Sequence, residues 1–134
     1  MKLRNLFSPF LLLMVLAGAL SSSANAHESE LYELRTYRAF EGRLDDLHAR
    51  FRDHVMALFE KHGIRNIAYW TPVGQADTLI YLIAHKDANA ARASWAAFVA
   101  DPVWQAVDAK SHENGPLVQS LESVFMTPTE YTLH

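Results

Sequence analysis

Between Leu31 and Arg38 the chain reads LYELRTYR, with polar and apolar side chains interleaved and Tyr, Leu and Thr prominent. A period of two in that composition predicts a strand. From Gly42 to His62 the period changes: Leu44, Leu47, Phe51, Val55, Leu58 and Phe59 recur at steps of three and four. That spacing predicts one amphipathic helix, with Gly63 where a left-handed C-cap belongs. Residues 64–73 and 78–85 are apolar, β-branched and aromatic, and Gly74-Gln75-Ala76-Asp77 between them predicts the turn of a hairpin. Asp87 can cap a second helix over 88–100, whose Ala91, Trp95, Phe98 and Val99 form a stripe. Asp101-Pro102 offers a fresh N-cap with proline at the first helical position, and this third helix should stop at Asn114-Gly115-Pro116. Residues 117–127 predict the last strand, and 128–134 a loose tail. The order β-α-β-β-α-(α)-β is that of an α+β, ferredoxin-like domain, a four-stranded antiparallel sheet with helices on one face.

The strands are apolar on both parities. In Leu79-Ile80-Tyr81-Leu82-Ile83-Ala84 no polar alternation is visible, and Leu121 and Phe125 oppose Val124 and Met126 in the last strand. A sheet with one wet face should alternate, so both faces are expected to be covered, although the helices suffice for one. The uncovered face would exceed what a soluble monomer usually exposes, and the simplest cover is the same face of a second copy. The expectation is a homodimer in which two sheets close on each other.

The residues before Glu28 carry a separate message. Lys2 and Arg4 precede the apolar run Phe10–Leu20, followed by Ser21-Ser22-Ser23 and Ala24-Asn25-Ala26. These are the three parts of a secretory signal peptide, with cleavage expected after Ala26 and residues 27–134 forming a single domain. The expected location is periplasmic or secreted. A mitochondrial presequence is the competing reading, because the segment has no acidic residue, but its basic residues precede an unbroken apolar block instead of being spread along a helix. The run is shorter than the roughly 20 residues of a membrane span. Cleavage would remove two basic residues and leave ten against fifteen acidic ones, a formal charge of −5. With cations interleaved among acids, nucleic acid is not an expected partner. The chain has no cysteine, so neither disulfides nor cysteine chemistry is available. No metal motif, phosphate loop or nucleophile elbow occurs, and no cofactor is expected.

A family pattern accompanies this order. Tyr32-Glu33-Leu34-Arg35-Thr36-Tyr37, Phe51, His54, Leu58-Phe59-Glu60-Lys61-His62-Gly63, Tyr69-Trp70-Thr71-Pro72, Ser94-Trp95, Ala97-Phe98, Asp101-Pro102, Trp104, Asn114-Gly115-Pro116 and Thr127-Pro128-Thr129 resemble the NIPSNAP family in order over residues 31–131. The resemblance implies the dimeric α+β barrel fold, whose superfamily includes cofactor-free monooxygenases and polyketide-type cyclases. It implies no agreed reaction for small bacterial members.

Candidate chemistry is sparse. A helix turns about 100° per residue, so His54 and His62 lie about 80° apart and cannot chelate one metal as an i, i+4 pair would. His62 falls in the last turn, where it can bond free carbonyls; His54, at the edge of the apolar stripe, could serve as acid, base or donor in a small pocket. Glu33, Arg35 and Tyr37 share one parity of the first strand. They read either as an ion pair at the dimer seam or sheet edge, or as a site in which Arg35 anchors an anion and Tyr37 donates. Trp70, Trp95 and Trp104 suit a core, yet aromatic rings with polar tips also line small-molecule pockets. A cavity near His54, Tyr69, Trp70 and Trp95 is the leading site hypothesis. Two functions of different class follow: a binding or interaction module that holds a small apolar or aromatic ligand, or a cofactor-independent enzyme in which His54 and a tyrosine such as Tyr37 move protons for a ligand pinned by Arg35.

Overall fold

The computed structural model describes residues 30–132. The expected leader and its cleavage point lie outside them. The elements are β1 (Leu31–Ala39), α1 (Leu44–Arg50), a π-helical turn (Phe51–Val55), α2 (Met56–Lys61), β2 (Arg65–Trp70), β3 (Thr78–His85), α3 (Ala88–Ala100), α4 (Pro102–Ser111) and β4 (Val118–Met126). The sheet order is β2-β3-β1-β4 with every neighbour antiparallel, the ferredoxin-like arrangement expected from the element order.

Local chemistry accounts for the element ends. Gly63, at φ 78°, takes the left-handed position after α2, where a side chain would be strained. Asp87 caps α3 by accepting from the Ala90 amide at 2.8 Å, and Asp101 caps α4 by accepting from the Val103 amide at 2.8 Å, with Pro102 next in line. Asp101 does more. Buried between helices, it also accepts from Lys61 Nζ and bonds His62 Nε2, both at 2.7 Å. The Lys61 and His62 contacts, with the backbone amide, hold its carboxyl well below the usual range. His62 thus ties the end of α2 to the α3–α4 junction through a carboxylate rather than through the last carbonyls of its own helix.

The π turn is the one departure inside an element, because the sequence reads as a single helix over 42–62. In such a turn the hydrogen bond spans i→i+5 and each residue rotates the chain less than an α-helical one. Residues on it therefore lag the stripe that a uniform 100° step predicts.

Register assigns every strand side chain to a face. Toward the helices point Glu33, Arg35 and Tyr37 of β1, Leu79, Tyr81, Ile83 and His85 of β3, and Tyr69 of β2. With Leu47, Phe51, Val55, Leu58, Phe59 and Phe98 they form the core, its rings meeting mostly edge to face. On the other face an apolar row, Ala68-Leu82-Leu34-Val124, crosses all four strands. Beside it Trp70 and Ile80 continue the apolar surface, and Trp70 and Val124 are 51% and 55% exposed. The helices cover less than expected. They leave β4 open even on their own side, where Leu121 and Phe125 are about half exposed.

Candidate functional site

The predicted site residues fall into three places. Arg35, Tyr37 and Trp95 belong to a buried polar ladder between sheet and helices. At its centre is Glu33, 1% exposed, whose two oxygens accept four hydrogen bonds. Arg35 Nη1 donates to Oε1 at 2.7 Å and Ser123 Oγ at 2.6 Å; Trp95 Nε1 donates to Oε2 at 2.8 Å, and His85 Nε2 lies 2.9 Å from the same oxygen. Since an ionised carboxylate only accepts, the His85 proton is on Nε2. Burial alone would raise the Glu33 pKa, but the bonds from His85, Ser123 and Trp95 and the charge of Arg35 outweigh it and bring the value down to about 2. Arg35 extends the ladder: its Nη2 donates to the Tyr37 hydroxyl at 3.1 Å and its guanidinium lies 4.4 Å from the Trp95 ring centre.

The expected Glu33–Arg35 ion pair forms, at 2.7 Å. The pair is not at a sheet edge, because β1 is an inner strand, and the row faces the helices. Nor is Arg35 free to pin an anion, since Glu33, Tyr37 and Trp95 already engage it. A carboxylate with four donors and a pKa near 2 is a poor base at neutral pH. Across from Arg35, Tyr81 is fully buried with no hydrogen-bond partner for its hydroxyl among the described residues, and burial pushes its pKa well up, so it stays a neutral phenol.

Tyr69 and Trp70 line a different place, a cavity of about 420 Å³ between α1 with its π turn and the β2–β3 hairpin. Its apolar lining is Phe51, Met56, Tyr69, Trp70 and Leu79; its polar lining is Asp45, His48, Arg52 and Thr71. Asp45, His48 and Arg52 follow one another at steps of three and four, which brings them to one side of the helix. The Tyr69 hydroxyl donates to Asn66 Oδ1 at 2.5 Å, and burial raises its pKa, so it too remains protonated. Sequence reasoning missed His48 and Asp45; only their helical spacing from Arg52 could have pointed to them.

His54 stands apart from both. It is exposed and lines a hollow between α1 and α4, on the far flank of the π turn. The expected cavity shared by His54, Tyr69, Trp70 and Trp95 is therefore not formed. Around the helix His54 lies about 200° from Arg52 and about 40° from Arg50, so Phe51 and Arg52 line the aromatic cavity while Asp53 and His54 line the other hollow. His54 and Tyr37 do not meet, so they form no proton-moving pair.

Among the described residues no group of three or more His, Asp and Glu side chains is placed to hold a metal ion, and no helix is long and apolar enough to cross a membrane. No curated protein matches the chain. Among solved structures, a NIPSNAP-like domain protein from Burkholderia xenovorans is similar at 20% identity, with 81% of this chain and 92% of that one covered and a TM-score of 0.70. A second Burkholderia xenovorans NIPSNAP domain protein matches at 25% identity, 78% and 99% coverage and a TM-score of 0.67. SnoaB, a cofactor-independent oxygenase from Streptomyces nogalater, shares the fold at 14% identity, 76% and 95% coverage and a TM-score of 0.56. That common fold is the ferredoxin-like unit of the dimeric α+β barrels. The NIPSNAP family model matches residues 32–133, nearly all of the folded domain, and the chain belongs to the NIPSNAP family.

Proposed function

We propose that this chain is an exported, homodimeric binding module that takes a small neutral aromatic or apolar molecule into the cavity beside the π turn. The observation that carries the reading is that cavity. Its volume of about 420 Å³ falls in the range of small-molecule sites, its lining is mainly aromatic and aliphatic, and a few polar groups converge on it. A π turn in its wall adds support, since such turns occur frequently at functional sites. The balance of Asp45 against Arg52 favours a neutral ligand with a hydrogen-bonding group over a charged one.

The dimer rests on the open sheet face. An apolar row across four strands, flanked by Trp70, is a surface that a second copy would remove from water. Export rests on the leader-like residues 1–26, and finding His27 as the N-terminus of protein recovered from an exporting cell is the expected outcome. The enzymatic reading is weaker on geometry, because its proposed anchor Arg35 is engaged by Glu33 and Tyr37, while His54 lies on another flank.

Titration with 1-naphthol, followed by tryptophan fluorescence, tests the binding reading. Saturable quenching is expected in the wild type, about tenfold weaker in Tyr69→Ala and absent in Met56→Trp, which fills the cavity. Equal affinity in the wild type and Met56→Trp would sink it.

A further inference from the structure

The outer side of the helical layer carries a second hollow, about 490 Å³, between α1 with its π turn and α4. Its walls include Ala49, Val103, Ala106 and Val107, and Arg50 lines it as well. Arg50 is 7% exposed, and its guanidinium lies 5.2 Å from the Trp104 ring centre. Among the described residues its two hydrogen bonds both leave from Nη1, to Asp108 Oδ1 and Ser111 Oγ, each at 3.1 Å. Nε is buried without a partner. Burial pulls the Arg50 pKa below its ordinary value, and the nearby Asp108 charge does not fully offset this.

The other charged groups around the hollow are engaged. Arg43 bonds Asp46 at 2.7 Å and donates to the carbonyls of Ser111, Asn114, Gly115 and Pro116, closing the end of α4. Lys110 bonds Glu113 at 2.7 Å, and Asp53 faces Arg52 at 3.5 Å. Nε is shut off from solvent, so the donor that a ligand in the hollow can reach is Nη2, which makes no hydrogen bond among the described residues; a carboxylate oxygen is the acceptor that suits a guanidinium N–H.

We propose that this hollow binds a small amphipathic carboxylate, its head taken by Arg50 and its apolar body laid along Ala49, Val103, Ala106 and Val107. The volume suits a ligand of that size. The site stands independently of the aromatic cavity, from which the π turn separates it.

The test is calorimetric titration of the purified mature protein with hexanoate, and with 1-hexanol as the uncharged counterpart. Hexanoate should bind saturably, with hexanol at least about tenfold weaker, since a hydrogen bond to a charged group is worth at least that ratio. Arg50→Lys should weaken hexanoate, and Ala106→Trp, which fills the hollow from an exposed position and leaves Arg50 itself unsubstituted, should abolish it. Trp70→Ala should leave hexanoate affinity unchanged. The proposal is overturned if hexanoate fails to saturate in the millimolar range, if hexanol binds equally well, or if folded Ala106→Trp binds hexanoate as the wild type does.

Discussion

The two faces of the sheet solve opposite problems. Toward the helices a carboxylate, a guanidinium and two aromatic N–H donors are enclosed, and the carboxylate is fully matched: Glu33 alone accepts from donors on β1, β3, α3 and β4, while Arg35 Nε and His85 Nδ1 are buried with no partner among the described residues. Away from the helices the row Ala68-Leu82-Leu34-Val124 has no polar side chain to satisfy, and among the described residues no helix lies over it. The first face offers little free chemistry and leaves Leu121 and Phe125 of β4 about half exposed; the second is inert, and the proposed second copy would cover it. Function is therefore to be sought at the margins, where the π turn opens hollows on either side of the first helical stretch.

Removing the centre of the ladder should have the largest effect. Glu33→Ala leaves Arg35 buried without its counterion and three further donors without an acceptor, which should cost about 3–5 kcal/mol in urea unfolding. On the other face Leu82→Glu places a charge in the middle of the apolar row. It should give a folded monomer at micromolar concentration by light scattering where the wild type gives a dimer, and a wild-type monomer would remove the contrast between the faces.

Acid titration separates the faces again. Glu33 ionises near pH 2 in the fold against an ordinary 4.5, so its contribution is fully present above about pH 4.5 and is lost as pH falls toward 2. The shift corresponds to about 3 kcal/mol. Wild-type stability should fall across that window by about this much more than that of Glu33→Gln, and parallel curves would show that the carboxylate is not the source.

Smaller effects are expected at the two histidines. His62→Ala removes one bond to the buried Asp101 while Lys61 keeps its own, at a cost of about 1 kcal/mol in thermal unfolding. His54→Ala should change stability by less than about 0.5 kcal/mol, as for an exposed side chain away from the core.

The elements were legible because each carried its own local signal: alternation in LYELRTYR, steps of three and four in α1 to α2, and Asp87 and Asp101 ahead of their helices. Parity also put Glu33, Arg35 and Tyr37 together. Which side of the sheet they face was not legible, because both parities of β3 are apolar and the partners His85, Trp95 and Ser123 are 52 to 90 positions distant from Glu33. On a uniform step His54 sits at the edge of the apolar stripe, about 40° from Arg50, and only the packing of α4 shows which hollow that edge lines. Nor was the π turn legible, since FRDHV contains no glycine or proline to announce it. Arg43 and Arg50 went unnoticed for a related reason: an arginine on a helix reads as solvated until the next helix is seen to pack on it.

Native mass spectrometry of the mature protein, purified without refolding at micromolar concentration, tests the central claim most directly. The account predicts a mass of two chains, each beginning at His27 and able to carry one 1-naphthol, with Leu82→Glu appearing as a single chain that is still folded. A wild-type protein that appears only as a single bare chain, and takes up no 1-naphthol when titrated, would contradict both the closed sheet face and the cavity as a binding site.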